Sequence, residues 1–184
     1  MARTVTTSSI GRLAGLTLVE LATCLCVLSI ITAIAAPSMA ALLERQHAVA
    51  ATNALVTQLA MARMAAISRR GTAVFCPSAS GNSCDAGNDW SGGWLLFLDR
   101  DGNRRPDQPN DIVSADNTPL SRHLRLTSST GRSQVRYLSD GRSAGTNLTI
   151  SICNRSGKLL SSVVVNNAGR ARSERPSKPT ACPN

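Results

Sequence analysis

Two groups of charged residues in this 184-residue chain stand where charge needs a partner. Glu20 interrupts an apolar run from Leu16 to Ala36 that is preceded by Arg3 and Arg12. A carboxylate within hydrocarbon costs about 2.5–3.5 kcal/mol even on the lenient insertion scale, so Glu20 calls for a cation. The second group is Gly169-Arg170-Ala171-Arg172, followed by Arg175 and Lys178. In an extended segment Arg170 and Arg172 project to the same side, so both guanidiniums can reach neighbouring phosphates. Gly169 permits a turn and a close approach of the backbone to a ligand.

The charge along the chain is uneven in the same sense. Between Gly81 and Pro119 seven aspartates face three arginines, a net charge of −4. From Leu120 onward nine Arg and two Lys face only Asp140 and Glu174, a net charge of +9. Such asymmetry points to a polyanionic partner. Arg155 and Lys158 at a hairpin, with Arg122, Arg125, Arg132, Arg136 and Arg142, are candidates to widen the surface. The chain has only two Trp, two Phe and one Tyr, so base stacking is not expected to lead. Contacts to a nucleic-acid backbone, weak in sequence preference and sensitive to salt, are the expected chemistry.

Other chemistries fare less well. There is no G-x-S-x-G, H-E-x-x-H or P-loop, and neither His47 nor His123 adjoins a nucleophile, so no enzyme is expected. No C-x-x-C occurs and neither histidine is near a thiol, so no metal or cofactor is expected. Asp99-Arg100-Asp101-Gly102-Asn103 resembles the start of a calcium loop, but its Gly is fourth instead of sixth and no Glu stands twelfth. A turn stabilised by Asp and Asn side chains is the expected structure. Cys24 and Cys26 lie in the apolar run and read as small packing residues. The other four thiols allow three pairings; Cys76 with Cys84 and Cys153 with Cys182 are favoured, the second tying down the C-terminal tail. Disulfides imply an oxidising compartment, the periplasm or cell surface.

The elements that must carry these groups begin with the span itself. Leu16 to Ala36 covers about 30 Å at 1.5 Å per residue, enough to cross a membrane once. A cleavable secretory signal would have a shorter apolar core without an acid, and a plain anchor leaves Glu20 unexplained. From Ser38 to Arg70 the chain is rich in good helix formers and has no Gly or Pro. The expected helix runs from about Leu16 to Ser68 and ends at the basic turn before Gly71. Pro37 is expected to bend or loosen it. Leu42, Val49, Val56, Leu59, Ala60 and Ile67 are the expected buried stripe. After Gly71, strands are expected at Thr72 to Cys76, Trp94 to Leu98, Gln134 to Leu138, Leu148 to Cys153 and Leu159 to Val165. The last two form a hairpin over Asn154 to Gly157. The fold class is therefore α+β: a long N-terminal transmembrane and amphipathic helix packed on an antiparallel sheet.

Gly15-Leu16-Thr17-Leu18-Val19-Glu20 resembles the class III prepilin signal of type IV pilins, although Leu16 stands where Phe or Met is usual. The resemblance implies a leader, 1–15, that prepilin peptidase removes by cutting after Gly15, with N-methylation of Leu16. The new α-amino cation would be a compact partner for Glu20, paired between neighbouring subunits during assembly. Phe75-Cys76-Pro77, Cys84, Gly92-Gly93-Trp94-Leu95-Leu96-Phe97-Leu98-Asp99 and the Asp-Gly-Asn loop resemble the domain of the FimT and GspH minor pilins. That implies the type IV pilin fold, divided as transmembrane half-helix 16–37, amphipathic half-helix 38–70 and β-rich domain 71–184. It also implies an inner-membrane, single-pass protein with a periplasmic domain, assembled with other pilins into a fibre at the cell surface. Gly169, Arg170 and Arg172 are similar to the G-R-x-R motif of DNA-binding FimT proteins, which implies double-stranded DNA as the polyanion. The GspH branch implies instead a structural initiator of a secretion pseudopilus.

Overall fold

The computed structural model describes residues 15, 17–117 and 123–183, with Pro37 described by its backbone alone. The leader up to Ala14, the new terminus at Leu16, and Arg122 lie outside the described residues. Among the described residues, one α-helix, α1 (Leu18–Arg69), is followed by eight strands, with a single 3-10 turn at Pro109–Asp111. Thr17 caps its start: Glu20 N–H donates to Thr17 Oγ1 at 3.2 Å, the T-x-x-E signature that satisfies a free amide of the first turn. Glu20 thus also sits where the helix dipole favours an acid.

The chain divides into two compact units at Ala41/Leu42. In the first, α1 is long and apolar enough to cross a membrane, and its Leu, Val and Ile side chains are exposed. The Thr23, Ser29 and Thr32 hydroxyls donate back to main-chain carbonyls of the preceding turn, so none needs water. Cys24 and Cys26 are free thiols. The helix continues through Pro37.

In the second unit, Leu42 to Arg69 of α1 packs on two antiparallel sheets. The first has strand order β3-β2-β1-β5 and the second β4-β6-β7-β8. Their ranges are β1 Thr72–Pro77, β2 Trp94–Asp99, β3 Ile112–Asp116, β4 Leu124–Ser128, β5 Val135–Tyr137, β6 Leu148–Asn154, β7 Leu159–Val165 and β8 Ala171–Glu174. Two sheets thus stand in place of the one expected, and β3, β4 and β8 are strands beyond the five expected. Segment 88–91 joins the sheets: Trp90 N–H donates to Leu126 O and Ser128 N–H to Asn88 O, both at 2.8 Å.

The buried stripe of α1 matches the expected one only in part: Leu59 is in the core and Val56 packs against it. Ala48, Ala51, Leu55, Leu59, Ala62 and Ala66 face the core, whereas Leu42 and Ile67 are 50% and 43% exposed. Ala60 is exposed, and Val49 and Val56 are half-buried. Four alanines let the helix approach the sheets closely, and Leu55 and Leu59 fill the middle of the contact. Opposite them lie Phe75, Trp90, Trp94, Leu96, Tyr137, Ile150, Ile152 and Val163. The outer face of the first sheet is buried too, with Val74, Cys76, Leu95 and Phe97 packed under Cys84 and Ile112. The Cys76–Cys84 bond closes this cover.

The helix stop differs in detail from its expected form. Gly71 N–H bonds Ala66 O and Arg70 N–H bonds Ile67 O, and Arg70, not Gly71, adopts the left-handed conformation at φ 50°.

Candidate nucleic-acid interface

The C-terminal basic residues are placed by one hairpin and one disulfide. Strands β7 and β8 pair with Val165 opposite Ala171 and Val164 opposite Arg172. The turn between them is fastened by Asn166, whose side-chain Oδ1 accepts Arg170 N–H at 2.9 Å and whose carbonyl accepts Gly169 N–H at 2.9 Å. Gly169 is buried in this turn at φ +75°, and a Cβ there would lie 2.0 Å from Gly141 O. Its close approach is therefore to the chain's own backbone. Gly169 shapes the loop and offers no surface to a ligand.

Alternation along β8 decides which way the cations face. Ala171 packs on the core, so Arg172 projects to the opposite side of the sheet, and Arg170, two residues earlier and just before the strand, is exposed. Arg172 Nε donates to Glu174 Oε1 at 2.8 Å, with both side chains largely exposed. Such a pair contributes about 0–1 kcal/mol and can yield to a stronger anion.

Beyond Glu174 the chain turns back to the β6–β7 hairpin. Leu159 N–H bonds Thr180 O at 2.9 Å, Cys182 N–H bonds Gly157 O at 2.8 Å, and Cys153–Cys182 locks the return. This brings Arg175, Lys178 and Lys158 around one hollow of about 380 Å³. The opposite wall is helical and carries Arg45, which the sequence reading did not single out. Among the described residues, no carboxylate lines this hollow. Nothing in the linear sequence signals Arg45, because it lies 113 positions before Lys158 and meets it only through the packing of α1 on the second sheet.

The remaining candidates separate. Arg155 lines another hollow, beside the Cys153–Cys182 bond, together with Arg125. Arg142 is held by Asp140, which accepts both its backbone N–H and its Nε; these bonds keep the Asp140 carboxyl below the usual carboxylate range. Arg132 and Arg136 gather elsewhere, with Arg104. The acidic loop is tied within itself. Asp99 Oδ1 accepts Gly102 and Arg104 N–H, Asn103 Nδ2 donates to Asp101 and Asp107, and Arg100 donates to Asp111 at 2.9 Å.

An apolar N-terminal helix whose second half packs on an antiparallel β domain defines the type IV pilin class. The chain belongs to the family described as Type II transport protein GspH, which matches residues 51–169. It is therefore a minor pilin or pseudopilin, a structural protein that associates with other pilins in a fibre. The type IV minor pilin FimU of Pseudomonas aeruginosa has a similar fold: 19% identity over 76% of this chain and 97% of that one, TM-score 0.57. The minor pseudopilin EpsH of the Vibrio cholerae Type 2 Secretion System is 16% identical over 70% of this chain and 96% of that one, TM-score 0.49. No curated protein sequence matches the chain significantly.

Proposed function

We propose that this minor pilin binds double-stranded DNA through its C-terminal basic surface and so supports DNA uptake in natural transformation. The observation that supports this reading is the assembly of Arg45, Lys158, Arg175 and Lys178 around one hollow with no acid among its described lining residues; Arg170 and Arg172 are exposed nearby in sequence, at the start of β8. Lysine and arginine grouped in this way neutralise backbone phosphates and release counterions, which binds DNA with little regard to sequence. Arg155 extends the surface past the disulfide.

In this reading prepilin peptidase cleaves after Gly15 and Leu16 is N-methylated. The α-amino group of one subunit then pairs with Glu20 of another as the protein passes from the inner membrane into the fibre, its domain in the periplasm. The competing reading is a GspH-type pseudopilin that initiates a secretion fibre without touching DNA, favoured by the description of the matching family. An electrophoretic shift at low salt separates them. The DNA reading expects the chain to retard a duplex of any sequence and Arg170→Ala with Arg172→Ala to weaken that retardation. No retardation by the parent would leave the structural reading.

A further inference from the structure

We propose that Arg104, Arg132 and Arg136 form a second anion site that takes a tetrahedral oxyanion of the phosphate or sulfate class. The proposal is independent of the DNA reading, since it uses none of the residues of the C-terminal surface.

The three side chains converge on a hollow of about 280 Å³ whose lining includes no carboxylate. They come from different places. Arg136 lies on β5 between Val135 and Tyr137; those two face the helix, so alternation turns Arg136 to the other side of the sheet. Arg104 is delivered by the aspartate loop, where the buried Asp99 carboxylate accepts its backbone N–H and φ is 64°. Arg132 is fixed most firmly. Its Nε donates to Gln134 O at 3.0 Å, Nη2 to Ser143 Oγ at 2.9 Å, and Nη1 to Thr146 O. Gly145, at φ +99°, lies beside it, and a Cβ added there would stand 3.6 Å from Arg132 Cζ.

A guanidinium has five N–H donors, so three bonds to the protein leave one on each terminal nitrogen of Arg132. Holding these two in place costs nothing further when a ligand arrives, and paired N–H donors match the edge of a phosphate. All three of the bonds Arg132 makes are to neutral acceptors, so none cancels its charge. Burial first, and then the nearby charge of Arg136, lowers the pKa of Arg132. Three like charges at one hollow repel, and an oxyanion, a dianion best, relieves that repulsion while using the open donors.

The test titrates inorganic phosphate, then sulfate, into the full chain in detergent by calorimetry, with ionic strength held constant by chloride. Saturable binding is expected, about tenfold weaker in Arg136→Gln and in Arg104→Gln. Arg104 is on an exposed loop, so the second variant keeps the test valid should the first fail to fold. Arg170→Ala with Arg172→Ala should leave phosphate affinity unchanged. The source is then read by competition: a short duplex that displaces phosphate assigns the site to nucleic-acid phosphate, and one that does not assigns it to the free ion. Heats that chloride reproduces, or affinity equal to the parent in both glutamine variants, would overturn the site. So would loss of phosphate binding in the Arg170, Arg172 variant, because a general surface charge would then account for it.

Discussion

Arg172 holds two partners in prospect, Glu174 beside it on β8 and a phosphate from outside. The exposed pair is weak, but a fixed carboxylate on the same strand face still opposes an incoming polyanion. Glu174→Gln is therefore expected to tighten DNA binding about two- to fivefold at low salt, measured by fluorescence anisotropy, with the gain fading as salt is raised. Tyr137 gives a residue-scale test of the fold. Its ring is buried, its hydroxyl finds no partner among the described residues, and burial pushes its pKa up to about 12. A phenol whose pKa is raised on folding contributes stability fully below its unfolded value near 10, and that contribution is lost as pH rises through 12. Tyr137→Phe should keep its stability near neutrality and lose less of it between about pH 10 and pH 12, a difference of up to about 3 kcal/mol by denaturant titration. At this scale the arginines could be read from the sequence as charges. Their partners could not, since Glu174 for Arg172 and Asp140 for Arg142 depend on strand and turn geometry.

Among the elements, the long helix and the five strands with strong apolar character were legible, because their periods of 3.6 and 2 show without tertiary context. The missing strands have separate causes. In β4, Leu124 and Leu126 alternate with Arg125 and Thr127, a period-2 signal that the sequence does carry. Strand β3 is short, and β8 is Ala-Arg-Ser-Glu, with no large apolar side chain to mark it. That edge strand exists because β7 offers it a ladder and the tail is tied behind it. The buried helix stripe was legible only in part, at Leu59, because four of its six fully core-facing apolar residues are alanines, which carry little periodic signal. The Cys153–Cys182 tie spans 29 residues and encloses both β7 and β8. Its removal by Cys153→Ser with Cys182→Ser should cost about 3–4 kcal/mol of domain stability in denaturant titration. It should also weaken DNA binding, because Arg175 and Lys178 would no longer be held opposite Arg45. A variant that lost stability but bound DNA as well as the parent would show that the hollow does not contribute.

Across the whole molecule, the two units hold different work. Among the described residues, the hydrophobic core of the second unit is built from side chains between Ala48 and Ala171. Glu20→Ala is expected to abolish incorporation into fibres, scored by immunoblot of sheared pili, while the DNA affinity of the full chain carrying the substitution is unaffected. Loss of both would mean that anchor and surface are not separable. The acid was legible from the start as a charge in an apolar run; its place as the N3 residue of a Thr17-capped helix was not, although the T-x-x-E spacing carried it. The central claim is that the chain grips DNA by its backbone through the C-terminal cations. The most direct measurement is the salt dependence of duplex affinity for the full chain and for Arg170→Ala with Arg172→Ala. The account predicts a linear fall of log affinity with log salt, the same for unrelated sequences, and a slope shallower by about 0.9 for each phosphate contact removed. A parent that fails to bind at low salt, or a double variant with the parent's slope and affinity, would contradict it.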